Sequence, residues 1–139
     1  VVLKAIFKNL VLFLIGGMIY FAIEMAFRGR SHPMMVVVGG ICFLLCGQLN
    51  EVIPWEMPLP KQMLICCIMI TAVEFLSGLI LNEYFGLAIW DYSHMPFNIR
   101  GQICLPFTIA WYFLSLVAIV LDDYLRYWFF GEDKPHYKL

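Results

Sequence analysis

The sequence predicts an all-α integral membrane protein, a four-transmembrane-helix bundle with a structured outer loop and a C-terminal interfacial helix extension. Three observations carry this expectation. Hydrophobic residues make up 63% of the 139 and charged residues only 14%, against about 25% charged in soluble domains. Four apolar runs each approach the ~20 residues that cross the hydrocarbon core of a bilayer. Between the second and third runs lies "PWEMPLPK", whose three prolines cannot continue a helix. The length allows one domain, 1–139.

The first span, about 6–27, follows Lys4 and Lys8 and precedes "RGR". Its start resembles a signal peptide. It is longer than an h-region, however, contains Glu24 and lacks a small-residue cleavage site, so a retained helix is expected. The second, about 33–53, opens on Pro33, which a first helical turn tolerates. The third covers about 62–82 and the fourth about 103–121. In the tail, 122–139, Tyr124, Tyr127, Trp128, Phe129 and Phe130 lie among charges, the pattern of a helix extension at headgroup level. Asp122, Asp123, Glu132 and Asp133 offset its basic residues, which argues against a calmodulin-type target.

Four spans place both termini on one side. That side carries Lys4, Lys8, Lys61, Arg126, Lys134 and Lys138, and the other Arg28, Arg30 and Arg100. The basic excess assigns the termini to the cytoplasm of a cell (plasma) membrane. A net charge of −1 gives no field that would draw nucleic acid. No phosphate-binding Walker loop is present, so any ATPase is a separate chain. Cys42, Cys46, Cys66, Cys67 and Cys104 lie within or beside apolar runs and fit free thiols packed as small hydrophobes. None has zinc-site spacing to a histidine. No cofactor or metal is expected.

Polar residues recur at helical spacing. Gly16, Tyr20, Glu24 and Arg28 share one face of the first span; Thr71, Glu74, Gly78 and Asn82, with Ser77 adjacent, share one of the third. Gly40, Gly47 and Glu51 align on the second, flanked by Gln48 and Asn50, and Thr108, Tyr112, Ser115 and Asp122 align on the fourth. The stripes are expected to face one another, the small residues letting helices approach closely. Glu24 and Glu74 stand out. An acid in mid-bilayer costs at least about 2.5–3.5 kcal/mol and therefore faces a bundle interior with a partner. Glu74 lies eight residues in from Asn82, roughly 12 Å deep. The candidate intramembrane site is Glu24, Glu74, Asn82, Arg28 and Arg30, with Arg28, Arg30 or Arg100 as the countercharge. It reads equally as a structural polar knot or as a proton, ion or solute site.

The stretch "WDYSHMPFNIRGQICLPF" supplies a second group: Trp90, Asp91, Tyr92, Ser93, His94, Asn98, Arg100 and Gln102. A 20-residue connection is long for a compact domain, and its aromatic content argues for order. It is expected to fold back over the bundle mouth as a plug or lid, with Asp91 ionised and paired to Arg28 or Arg30. Three readings of function remain open. One is a transporter component passing a small solute or ion, completed by a homo-oligomer or a separate ATPase or membrane partner. Another is a membrane scaffold or regulatory subunit. The third is an enzyme acting on lipid at the outer face through Asp91, His94 and Ser93, three residues in one tetrapeptide that can rarely converge on an atom. A metal version of that enzyme, using Glu24, Glu74 and His94, has no ligand spacing to support it. No residue is assigned as catalytic.

The segments "GGICFLLCGQLNE", "TAVEFLSGLILNEYFGLAIWDYSHMPFNIRGQICLPF" and "LDDYLRYWFF" resemble the bacterial family labelled "putative ABC-transporter type IV", or CmpB-like. That family is itself distantly similar to small vertebrate transmembrane proteins. The residues carrying the resemblance are Glu24, Glu74, Gly78, Trp90, Asp91, Tyr92, Ser93, Asn98, Gly101 and Cys104. It implies a helical membrane protein belonging to a transport system and does not specify a substrate.

Overall fold

The computed structural model describes residues 2–29, 31–52, 57–132, 134, 135 and 137, apart from the side chains at 27 and 49–52. Arg30, residues 53–56 of the expected break between the second and third spans, and the side chains of Asn50 and Glu51 thus lie outside the described residues. Four α-helices follow in order: α1 (Val2–Arg28), α2 (Met34–Val52), α3 (Leu59–Gly78) and α4 (Leu105–Phe130). A π-helical segment, Leu79–Tyr84, continues α3. The described residues contain no strand, only an isolated bridge between Ile99 and Ile103.

Local chemistry sets the helix starts. Pro60 and Pro106 occupy the second positions of α3 and α4, where the missing N–H costs nothing. Pro33 lies just ahead of α2, and the first N–H of that helix, on Met34, donates to His32 Nδ1 at 3.1 Å. Gly131 closes α4 in the left-handed conformation (φ 67°), as glycine does most cheaply.

α1, the α3–π unit and α4 are each long and apolar enough to cross a membrane. α2 is shorter, its apolar part covering only Met34–Gln48. It is the central helix, packed against all three others, whereas α1 packs mainly on α2, touches α4 little and does not meet α3. Hydrogen bonds fix the directions. Gln48 donates to Asn9 at 3.1 Å, making α1 and α2 antiparallel, and Lys8 meets Glu132 at 2.8 Å, bringing both chain ends to one end of the bundle. That end is called here the terminal end, and the opposite one the loop end.

Glycine sets the α1–α2 distance. A Cβ on Gly17 would strike the Val36 carbonyl oxygen, and one on Gly40 would lie 2.8 Å from the Phe13 carbonyl. Gly16 faces Phe43 and Gly39 faces Tyr20. The first stripe therefore does face α2. The α2 glycines divide their roles, since Gly47 instead abuts the Asp122 carboxylate of α4.

Two expectations are corrected by α4. Its buried stripe is Trp111, Ser115, Ile119, Asp122 and Arg126, offset by about one residue from Thr108 and Tyr112, which are half-buried. The segment from Asp122 does extend the helix, but its first turn is bundle interior. Asp122 and Arg126 are 0% and 2% exposed and meet at 3.0 Å. Of the aromatic residues that end α4, Tyr127, Trp128 and Phe129 turn outward. Beyond Gly131 the chain folds back, Glu132 N–H donating to the Arg126 carbonyl and the Tyr137 hydroxyl to Asp123 at 2.7 Å. All five cysteines are free thiols, four of them buried, and Cys67 donates to the Thr108 carbonyl at 3.1 Å.

Because backbone lies against Gly17, substituting it forces the helices apart. Gly17→Leu is expected to destabilise the detergent-solubilised protein by about 1–3 kcal/mol, the usual cost of overpacking. Ile6→Ala, on an exposed face, is expected to change stability little. Denaturant titration followed by helical circular dichroism compares them.

Candidate functional site

The candidate site lies at the loop end. Glu74, 7% exposed, projects from α3 toward α4 and the 85–104 segment. Its Oε1 accepts the Trp111 indole N–H at 3.0 Å and its Oε2 the Tyr92 hydroxyl at 3.0 Å. Burial, reinforced by the Glu74 charge, holds the Tyr92 phenol far above the ordinary tyrosine range, so it stays a neutral donor. The expected arginine partner of Glu74 is not found among the described residues. Arg28 is committed elsewhere: Nη1 donates to Glu24 Oε2 at 2.9 Å and Nη2 to the Ile89 carbonyl at 3.1 Å. The Ser31 hydroxyl donates to Glu24 Oε1 at 3.2 Å. A carboxylate one turn from the arginine on its own helix is simply nearer than one on another helix.

A partly open cleft of about 100 Å³ joins these groups. Glu24, Arg28, Glu74, Trp90, Tyr92 and Trp111 line its loop-end portion. Farther in, its walls are apolar, from Cys42 and Phe43 of α2 to Val117 and Leu121 of α4. The Tyr20 and Trp111 rings lie 6.1 Å apart across it. Trp111 and Tyr20 thus belong to the site, although the sequence reading placed neither there. The signal available for Trp111 was its helical spacing with Ser115, Ile119 and Asp122.

The 85–104 segment folds back over the bundle mouth, as expected, but through other contacts than those expected. Asn82 and Gln102 are its anchors. Asn82 Nδ2 donates to Gln102 Oε1 at 2.9 Å, while Asn82 Oδ1 accepts the Ile89 N–H at 2.7 Å. The Gln102 carbonyl accepts the Trp90 indole N–H at 2.9 Å. Gly78 leaves the space that the Gln102 side chain fills. The π-helical turn places Asn82 here: its wider turn alters the angular step after Gly78. Ala88, Phe97 and Arg100 all have positive φ, 51–55°, a conformation non-glycine residues adopt only when surrounding contacts enforce it.

Asp91 does not pair with Arg28. Its carboxylate is exposed, and Oδ1 accepts the Ser93 N–H at 2.9 Å. That bond holds the carboxyl below its ordinary value, so the turn keeps it above about pH 4 and loses it as pH falls further. Asn98 braces the loop internally, donating to the Ser93 and Met95 carbonyls and accepting the Gly101 N–H. Arg100 reaches the exposed Glu83 at 3.3 Å. Ser93 and His94 are exposed and, like Asp91, do not line the cleft.

Loop order should therefore depend on the buried anchors. Asn82→Ala or Gln102→Ala strands a buried polar partner, at about 1–3 kcal/mol. Either is expected to speed hydrogen exchange across residues 88–102 while the helices stay protected. Asp91→Asn is expected to leave exchange in the same segment nearly unchanged.

No solved structure matches this chain. A family model does, over residues 2–130, a range that contains all four helices, the Glu74 site and the loop. On that match the chain belongs to the CmpB-like family described as "Putative ABC-transporter type IV".

Proposed function

We propose that this protein is the membrane subunit of a transport system, binding or passing a small solute or ion at an intramembrane polar site centred on Glu74, with Glu24 and Arg28 beside it. One observation carries this reading. A buried carboxylate opens onto a cleft, and its polar partners come from two other elements, one of them the loop that covers the mouth. A purely structural knot has no need of the cleft.

In this reading the four helices span the bilayer, α2 being shielded by its neighbours. Exposed Tyr84 and Phe85 at the loop end and Tyr127, Trp128 and Phe129 at the terminal end have the spacing of two aromatic belts. α4, at 26 residues, is about 39 Å long by its rise per residue, against about 30 Å of hydrocarbon. The termini are assigned to the cytoplasm and the protein to the plasma membrane. One bundle encloses little volume, so a second copy or another membrane chain completes the pathway. A separate ATPase supplies energy where the transport is ATP-driven. The scaffold reading rests on the outward apolar faces of α1 and α4. The lipid-enzyme reading has less support, because the Asp91 carboxylate binds the Ser93 backbone and none of Asp91, Ser93 and His94 lines the cleft.

In a background without native cysteines, single cysteines at Ile23 and Ala118, which line the cleft, are expected to react with a small charged methanethiosulfonate. A cysteine at Phe113, which faces outward, is expected not to react. Silence at both cleft positions would leave the scaffold reading. Cysteines at Ser31 and Met95 should label from outside the cell and those at Met57 and the exposed Lys134 from within; the reverse pattern would invert the orientation.

Glu74→Gln preserves shape and can still accept from Trp111. It is expected to change stability by less than about 1 kcal/mol, since an uncharged hydrogen bond contributes only about that much. A double-mutant cycle with Arg28→Gln should give coupling near zero. Coupling of the size of a broken buried ion pair, about 3–5 kcal/mol, would show that Arg28 is the true partner of Glu74.

A further inference from the structure

Among the described residues, the charges lining the cleft do not cancel. Glu24 and Glu74 both line it, and Arg28 is the cation that does so among the described residues. The Arg28 guanidinium is engaged by Glu24 and by the Ile89 carbonyl. Among the described residues, Glu74 receives the uncharged donors Trp111 and Tyr92. With both acids ionised, the described lining carries one net negative charge. A carboxylate surrounded by apolar walls is tolerated with a proton or with a countercation.

The walls indicate which cation. Tyr20, Trp90, Tyr92 and Trp111 line the cleft near Glu74, and aromatic ring faces attract desolvated organic cations. A bare metal ion would need several oxygen ligands. No three His, Cys, Asp or Glu side chains converge to hold one among the described residues. The volume, about 100 Å³, is several times that needed for one water and suits a small organic body.

We propose that the cleft binds a small organic monocation with an apolar body, its charge against Glu74 and its body against Tyr20, Trp111 and the α4 wall. The proposal rests on the solute-site reading above and names the class of solute. One charge matches the net charge of the described lining, and the apolar remainder packs on the apolar inner walls.

The test measures binding to the purified full chain in detergent by equilibrium dialysis. Three aromatic probes are compared: benzyltrimethylammonium, neutral benzyl alcohol and anionic benzenesulfonate. The cation is expected to bind in preference to the other two. Glu74→Gln should weaken its binding by about tenfold or more, as for a close charge pair. Arg28→Gln, which makes the cleft more negative, should tighten it. Lys61→Gln, exposed at the terminal end, should leave it unchanged. Elution volume and helical circular dichroism check that each variant is folded. Should Glu74→Gln fail to fold, Glu24→Gln makes the same change in cleft charge and is expected to weaken binding too. Glu74-dependent binding of benzyl alcohol or benzenesulfonate as tight as that of the cation overturns the cation class and leaves the solute-site reading standing. Binding of none of the three, or cation binding indifferent to both carboxylate substitutions, also overturns the proposal. The solute-site reading itself falls only if the cleft cysteines fail to react.

Discussion

A carboxyl group in an apolar bundle must find hydrogen-bond partners, and the way Glu74 does so organises the loop end. Arg28 is taken by Glu24 on its own helix, and Glu74 is served by an indole and a phenol. The Trp111 bond fixes α4 in register against α3. The Tyr92 bond reaches into the 85–104 segment and draws it over the bundle. Phe107 adds to the arrangement, its ring stacked on Tyr92 at 4.8 Å and 6.2 Å from Trp111. One buried acid thus couples two helices and a loop. Its described donors are both uncharged.

The opposite end meets the same electrostatic demand differently. Asp122 and Arg126 are buried on one helical face at i, i+4 spacing. Around them lie Asp123, Tyr137, Glu132 and Lys8, joining α4 to the returning tail and to the start of α1. Gly47 allows α2 to press against Asp122. None of these charged residues lines the cleft, and the cluster ties α4, the tail and the start of α1 together at this end. Breaking such a buried pair from one side is costly, although the intact pair adds little net stability. Between the two polar ends, close α1–α2 contact through glycines makes a rigid seam and leaves the gap between α1 and α4 as the cleft.

The loop combines strain with dense anchoring. Three non-glycine residues sit at positive φ, each costing on the order of 1–3 kcal/mol. Asn82, Trp90 and Gln102 offset that cost with interlocked bonds that use both polar atoms of the Asn82 amide and main-chain and side-chain groups of Gln102. Exposed Phe97 and Ile99 give its outer surface the apolar character suited to an interface rather than to bulk water.

The sequence by itself determined the helix count, the breaks at Pro33 and Pro58, the inward-facing Gly16–Tyr20–Glu24 and Glu74–Gly78–Asn82 stripes, and a folded loop. Those features follow from hydrophobic run length, helical period and proline chemistry, all local along the chain. Tertiary structure alone decided the partners. Arg28 stands one turn from Glu24 on its own helix, but only packing shows that its second contact is the Ile89 carbonyl and that it pairs with neither Glu74 nor Asp91. Asp91 looked like an anchor because it is charged, yet an exposed carboxylate gains more from the adjacent Ser93 N–H than from a distant arginine. Trp111 looked like one apolar residue among many, because an indole N–H becomes a polar group of consequence only when a buried carboxylate faces it. Arg126 read as a surface charge, since sequence cannot tell how far a bundle end extends. Pairings across helices depend on rotation and depth, and a one-dimensional pattern fixes neither.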